Sequence, residues 1–293
     1  MIITREIVIE RVAAAVGEVA VDNRGIIPDR TIEATGFSMR RLVSPGTALA
    51  DLSMRAIENL PADSLSDVGG VVAATFSSER RFPSLAASIA SRLSLPSHVP
   101  AFDLQMACSA YPYAVYLAAR MAADLGKKVL VVDGDIQSSL SDPDDAASTP
   151  LFSDASTASI VSAGGEGLGA VDFYTRASDA LECGPAGPIK MDGFGVFSFV
   201  AAEVAPFLKR FLAESAVDVD AFVPHQANMY MVRQLAETLG LSDRLVTSGE
   251  EFANTGSSSI PLTIAHRGVS GCAFIAGFGA GLSASCATVR INI

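Results

Sequence analysis

The chain has 293 residues, 49% of them hydrophobic, with a formal net charge of −11 and a pI near 4.7. That length can bury one large core or two fused halves, and the acidic balance excludes nucleic acid as the main partner, because phosphate binding needs a basic face. No uninterrupted run of about 18 apolar residues is present to span a membrane, and the opening MIITREIVIERVAAAVGEVA mixes Arg and Glu into its apolar residues, unlike a secretory leader, so the expected setting is the cytoplasm.

Along the chain, short apolar runs alternate with helix-length segments. GGVVAATF (69–76) reads as a strand, followed by helical spacing over 84–95 and again over 109–125. KVLVVDG (128–134) is the next strand. The polar loop SLSDPDDAAS (139–148) carries three aspartates, but it lacks the glycine and distal glutamate of a calcium loop and reads as solvated. SAGGEGLGA (162–170) is a glycine-rich turn that divides the chain near its middle. Beyond it, helical spacing over 199–215 and 227–239 flanks the strand DAFVPH (220–225), and CAFIAGFG (272–279) and SCATVRINI (285–293) close the chain as strands. Several strands are apolar on consecutive residues, as happens where helices cover both faces of a sheet. The expectation is a layered α/β fold in two halves, residues 1–165 and 166–293.

Four cysteines, Cys108, Cys183, Cys272 and Cys286, are scattered without a CxxC pair, which argues against a zinc site or a disulfide framework. Cys108 stands where DLQMACSAYPYAVYLAARM turns from polar to apolar, with Pro112 close behind. A free cysteine is commonly a small buried apolar residue. At a helix N-terminus, however, the unsatisfied N–H groups and the dipole favour thiolate over thiol, and Pro112 suits such a terminus. His225 in VPHQAN sits at a strand-to-helix turn, where α/β sheets assemble sites, although a lone histidine is more often structural. Asn254 in ANTGSSSIP is an ordinary turn or capping residue when taken alone. The glycine turn GFGAG, which includes Gly279 and Ala280, is a plain hairpin or a place where backbone N–H groups approach a substrate carbonyl. It is no dinucleotide fingerprint, because a strand follows it.

Taken in order, these segments resemble the type III β-ketoacyl-acyl-carrier-protein synthases, condensing enzymes of the thiolase fold. AFDLQMACSAYPYA resembles that family's nucleophile segment, VPHQAN its histidine motif, ANTGSSSIP its asparagine turn and GFGAG its C-terminal glycine loop; TGFSMRRLVSPG (35–46), FPSLAA (82–87) and LFSDASTASIV (151–161) fall in register as well. The resemblance runs from about residue 30 to the end. It implies a layered αβαβα fold of two pseudo-repeated halves, the first bearing the nucleophile cysteine and the second the histidine and asparagine.

It further implies that Cys108 takes an acyl group from a thioester. His225 and Asn254 would hold a malonyl thioester while carbon dioxide leaves and the enolate attacks the acyl-cysteine. The backbone N–H groups of Cys108 and Ala280 would form the oxyanion hole, with alanine standing where the family usually has glycine. Phe82, Phe152, Met191 and Phe197 match tunnel-lining positions, with Phe82 reaching the neighbouring subunit of a homodimer, and Asn228 and Gly279 join them as substrate-binding positions. No metal or cofactor is implied.

Departures from the pattern bear on the substrate. The tryptophan and two arginines that grip coenzyme A in family members correspond to Arg30, Ala34 and Ala146, a loss that Arg40 and Arg41 are candidates to offset. Basic residues that greet acyl carrier protein correspond to Ser198 and Tyr230, leaving Lys209, Arg210 and Arg233 as candidates for a basic patch. The N-terminal segment and the region after Pro261 are shortened relative to the family pattern, which would open the acyl tunnel. Two alternatives stand beside condensation: transfer of the Cys108-bound acyl group to a hydroxyl or amine, and a non-catalytic subunit paired with an active partner.

Overall fold

The computed structural model describes residues 1–184 and 187–293. In chain order the strands are β1 (Ile2–Thr4), β2 (Ile7–Val16), β3 (Val19–Asp22), β4 (Met39–Leu42), β5 (Val68–Ala74), β6 (Ala101–Leu104), β7 (Lys128–Asp135), β8 (Ala155–Ala163), β9 (Gly169–Thr175), β10 (Leu181–Cys183), β11 (Ile189–Met191), β12 (Ala221–Pro224), β13 (Gly271–Gly279) and β14 (Ser283–Ile291). The helices are α1 (Asp29–Thr35), α2 (Leu49–Glu58), α3 (Leu85–Arg92), α4 (Ala110–Leu125), α5 (Gly193–Phe199), α6 (Ala205–Ser215), α7 (Met229–Leu239), α8 (Gly249–Phe252) and α9 (Ser259–Arg267).

Ten strands join in one sheet, and one pairing pattern occurs in it twice. In the first half β5 runs parallel to β7, β7 antiparallel to β8, and β8 antiparallel to β2. In the second half β12 runs parallel to β13, β13 antiparallel to β14, and β14 antiparallel to β9. A parallel contact between β14 and β2 joins the two sets. The glycine-rich segment 162–170 contains the turn between β8 and β9, where the chain passes from one set to the other. β1 crosses back to pair with β9.

Alternation along the strands builds the layers. Val129 and Val131 of β7 face an inner core with α4 and α9, while Leu130 and Val132 face α2 and α3. In the second set Ala273 and Ile275 of β13 face the same inner core, and Phe274 and Phe278 face α6 and α7. The result is helix, sheet, helix, sheet, helix. Burial on both faces explains the unbroken apolar runs of these strands. The middle layer holds α4, whose alanines at 110, 114, 118, 119 and 122 are all buried and let a helix fit between two sheets.

Local departures from expectation have local causes. The helix expected over 199–215 begins earlier, as α5, and reaches α6 through a π-helical turn, Val200–Val204. Pro206 at the start of α6 has no N–H to donate to the preceding turn, so the regular ladder breaks there.

Candidate active site

Cys108 lies in a 3-10 turn, Ala107–Ser109, directly before α4. Pro112 occupies the first turn of that helix, where a missing N–H leaves no intrahelical bond unmade. Ala107 adopts a left-handed φ of 42°, which sharpens the turn ahead of the thiol at a cost of about 1–3 kcal/mol. Two glycines of β13 make room for it. A Cβ on Gly277 would fall 2.8 Å from the Cys108 carbonyl oxygen, and one on Gly279 would fall 2.9 Å from Cys108 Cβ and 3.2 Å from Sγ.

Burial pushes the Cys108 thiol up to about 11. The backbone N–H groups of Ala280 and Cys108 both bear on the sulfur and pull the other way, while the buried carboxyls of Asp135 and Asp133 push further upward. The expected helix-terminus thiolate is therefore corrected: loss of water around the sulfur outweighs the dipole, and the resting group is a thiol.

His225 follows the last residue of β12, and its N–H donates to the Ala276 carbonyl of β13 at 2.7 Å. The ring is buried, edge-on to Phe278 with centroids 5.6 Å apart, and Nδ1 meets the Ser259 hydroxyl at 2.9 Å. That hydroxyl oxygen already accepts the Gln226 N–H at 3.1 Å. Burial holds the imidazole down to about 4, against a smaller upward pull from the Gly256 backbone, so it is neutral at pH 7. Asn254 is held from both halves. Its carbonyl accepts Gln137 Nε2 at 2.8 Å and the Ser153 N–H at 2.8 Å, and its side-chain Oδ1 accepts the Gly256 N–H at 2.9 Å.

The segment 254–259 is the junction of the three. The turn Gly256–Ser258 packs against the Cys108 turn, which in turn packs on β13; Ser259 carries the His225 ring, and Gly256 fixes the Asn254 amide. Gln226 ties His225's strand to the approach to Asn254, donating from Nε2 to the Pro224 carbonyl at 2.7 Å and accepting the Ser248 N–H at 3.1 Å. Gln137, Gln226 and Ser259 were not singled out from the sequence. VPHQAN and ANTGSSSIP contain the last two, but nothing in the sequence around Gln137 marks it.

A cavity of about 850 Å³ opens onto the Cys108 turn, with Cys108, Phe152, Gln137 and Ala280 on its wall; His225 and Asn254 lie behind that wall rather than on it. Of the four expected tunnel residues, Phe152 lines it. Phe82 is 85% exposed, Phe197 stacks at the surface on Tyr230 at 6.3 Å, and Met191 packs with the second-half outer core. Asn228 caps α7, its Oδ1 accepting the Met231 N–H at 2.7 Å.

Two charge expectations are corrected. Arg40 is buried and spent on structure, with Nε on Asn23 Oδ1 at 2.8 Å and a second nitrogen on the Thr149 carbonyl at 3.2 Å. The expected basic patch is largely neutralised, because Arg210 pairs with Asp172 at 3.0 Å and Arg233 with Glu250 at 2.9 Å. Among the described residues no group of three or more His, Cys, Asp or Glu is arranged to hold a metal ion.

Five layers with a twice-used strand pairing, and a cysteine turn where the inner helix meets the sheet, define a thiolase-fold protein. Residues 102–178 match the family described as 3-oxoacyl-[acyl-carrier-protein (ACP)] synthase III, and residues 213–291 match its C-terminal region. The chain is 34% identical over 250 residues to beta-ketoacyl-[acyl-carrier-protein] synthase III 2 of Streptomyces coelicolor, covering 81% of this chain and 76% of that one. A crystal structure of 3-oxoacyl-(acyl-carrier protein) synthase from Burkholderia xenovorans superposes with a TM-score of 0.90 at 25% identity, covering 99% and 96% of the two chains. A priming β-ketosynthase of a polyketide biosynthetic pathway superposes with a TM-score of 0.86 at 27% identity, covering 98% and 97%. The chain belongs to the β-ketoacyl-[acyl-carrier-protein] synthase III family, a family of condensing enzymes.

Proposed function

We propose that the protein joins an acyl thioester to a malonyl thioester by decarboxylative Claisen condensation, with Cys108, His225 and Asn254 as its catalytic residues. The observation that carries this reading is the convergence of the segments bearing all three on the 254–259 turn, beside a cavity with Cys108 on its wall. The pairing pattern used twice supports two fused halves, 1–165 contributing the sulfur and 166–293 the imidazole and amide.

In the first step Sγ attacks the donor's thioester carbonyl. A bond forms between Sγ and that carbon, the donor's C–S bond breaks, and the departing thiol takes up the proton that Cys108 gives up. The Cys108 and Ala280 N–H groups, which bear on the resting sulfur, are the donors for the carbonyl oxygen as it gains charge. Removing such a donor typically costs about 3–4 kcal/mol of barrier.

In the second step the malonyl C–CO2 bond breaks and its electron pair passes into an enolate. The enolate carbon then bonds to the acyl carbon as the acyl carbon–Sγ bond breaks, and the released thiolate takes a proton from solvent to restore the resting thiol. In this reading the Ser259 hydroxyl, 2.9 Å from His225 Nδ1, donates its hydrogen to that nitrogen. That leaves the ring proton on Nε2, a neutral donor for the enolate oxygen alongside the Asn254 amide.

Phe152 limits the acyl chain, while the exposed Phe82 suits contact with a second copy in a homodimer. An acyl carrier protein serves as a substrate carrier in this reading. Reduced thiols at Cys108, Cys183, Cys272 and Cys286 fit a cytoplasmic enzyme, and among the described residues no helix is long and apolar enough to cross a membrane.

Intact-protein mass spectrometry tests the sequence of events. An acyl adduct should form on the wild type and on Asn254→Ala, be absent from Cys108→Ala, and be discharged by malonyl thioester only in the wild type. Discharge by an alcohol or amine with no malonyl requirement would instead establish simple acyl transfer.

A further inference from the structure

The thioester carbonyl of the proposed reaction meets two N–H groups on separate elements, Cys108 in the turn before α4 and Ala280 in the turn between β13 and β14. Donors of this kind act only when their spacing is fixed before the substrate arrives. Backbone contact sets one side of that spacing. A Cβ on Gly277 would fall 2.8 Å from the Cys108 carbonyl oxygen and 2.8 Å from Ser109 Cα, so β13 lies backbone to backbone against the cysteine turn. Hydroxyls of β14 set the other side. Ser109 Oγ lies 2.6 Å from Ser283 Oγ and 2.9 Å from the Met106 carbonyl oxygen, and Ser283 Oγ lies 2.7 Å from the Ala280 carbonyl oxygen. Ser285 Oγ donates to the Ser109 carbonyl at 2.6 Å, and all three serines are buried.

The three contacts of Ser109 and Ser283 share two hydroxyl hydrogens, and the 2.6 Å approach of their oxygens takes one of them. If Ser283 supplied it, Ser109 would serve Met106, whose carbonyl already accepts the Ser109 N–H at 3.1 Å, and the Ala280 carbonyl would lose its hydroxyl. If Ser109 supplies it, Ser283 donates to Ala280 and all three acceptors keep a donor. We propose that Ser109 and Ser283 are positioning residues for the oxyanion hole, the Ser109 hydroxyl donating to Ser283 and the Ser283 hydroxyl to the Ala280 carbonyl, so that one buried chain fixes the gap between the two N–H groups. The chain runs from the residue after Cys108 to Ala280 itself. This rests on the reading that those N–H groups polarise the thioester carbonyl, and it names what holds them apart.

Acylation kinetics and infrared spectroscopy test this together. Wild type, Ser109→Ala, Ser283→Ala, Ser283→Thr and the double alanine variant are acylated with a thioester whose carbonyl is isotope-labelled, and the carbonyl stretch of the Cys108 adduct is recorded in buffer and in urea. A held oxyanion hole lowers the wild-type stretch below its value in urea. In both single alanine variants the stretch should move back toward the urea value, and acylation at saturating thioester should slow about tenfold or more with KM changed less than about twofold. Ser283→Thr keeps the hydroxyl and should stay close to wild type. The double variant should be no slower than the slower single one, because each substitution breaks the same chain. Ser283 lies on the cavity wall, whereas Ser109 lies behind it, so a loss in Ser283→Ala alone would mean direct contact with substrate and overturn the positioning role. Wild-type stretch and rate in either alanine variant, or a threonine variant as slow as the alanine one, would overturn it too.

The resting sulfur gives a second readout that needs no acylation, since both N–H groups bear on it. Ultraviolet absorbance of the thiolate is followed against pH, as the difference between each protein and the same protein carrying Cys108→Ala. The Cys108 midpoint should lie higher in Ser109→Ala and Ser283→Ala than in wild type and Ser283→Thr, because misplaced N–H groups no longer favour the charged sulfur. Equal midpoints in all four overturn the proposal. A wild type that takes no acyl adduct overturns the condensing mechanism instead, and this titration then decides the positioning role by itself.

Discussion

Replacing Gly279 with alanine tests how tightly the sulfur is seated. The residue has φ +149°, a region that L side chains rarely adopt, so the backbone alone should lose about 1–3 kcal/mol. The added Cβ would lie 2.9 Å from Cys108 Cβ, well inside the ~3.5–4.0 Å of an ordinary carbon contact. Neither atom can rotate away, since both are fixed to their backbones, and overpacking of this kind costs about 1–3 kcal/mol. The expected loss is therefore roughly 2–6 kcal/mol, read from the midpoint of urea unfolding. Gly240→Ala is the control. Gly240 has φ +70° with nothing within 4 Å of its added Cβ, so only backbone strain of about 1–2 kcal/mol applies. Cys108 alkylation by iodoacetamide should change in Gly279→Ala, as the turn shifts to relieve the contact, and stay the same in Gly240→Ala. Two variants with the same small stability loss and the same alkylation rate would refute the packing described for β13 against the cysteine turn.

Three further outcomes follow from burial around the site. With its thiol raised to about 11, Cys108 should be alkylated slowly at pH 7 and faster with each pH step toward 10; a rate that levels off near pH 6 would mean a resting thiolate. The His225 ring, about 4 in the folded protein against 6.5 as its ordinary value, stays neutral in the fold while the unfolded chain takes up a proton. Wild type should therefore lose roughly 3 kcal/mol relative to His225→Gln as pH falls from 6.5 to 4, with no loss above 6.5; parallel unfolding curves would contradict it. Asp133 Oδ1 accepts the Ser257 hydroxyl at 2.6 Å, while its other oxygen is buried without a partner, and burial raises its carboxyl well above the ordinary range. A raised carboxyl loses folding stability as pH climbs through its unfolded value, so Asp133→Asn should gain on wild type from pH 4 to pH 8. A difference between the two proteins that does not vary with pH would argue that this carboxyl is ionised in the fold.

Where physical pattern is strong, the sequence was legible. The valines of β7 and the consecutive apolar residues of β13 marked buried strands because both faces are covered, and Pro112 suited the start of α4. β8 was not legible as a strand from its composition. Its residues ASTASIVSA are small and polar, with weak strand preference. They sit centrally because small side chains admit α2 and α4, and because the hydroxyls find buried partners, Thr157 on the Asp133 carbonyl at 2.9 Å and Ser159 on Tyr111 at 2.9 Å. At the site, Cys108, His225 and Asn254 stood out through motif context. The resting state of the thiol did not, because it depends on water removed by β13 and on Asp133 and Asp135, which approach only in three dimensions. The fate of Arg40 was equally hidden: an arginine reads as free until Asn23 and the Thr149 carbonyl are seen to surround it.

The most direct test of the central claim measures carbon dioxide and product together. Acylated protein is mixed with malonyl thioester labelled at its free carboxyl, and released label is compared with the β-ketoacyl thioester formed. One carbon dioxide per product two carbons longer than the donor acyl group is the expected result, with release lost in both His225→Ala and Asn254→Ala. Acyl transfer that proceeds at full rate with no label released would contradict the account.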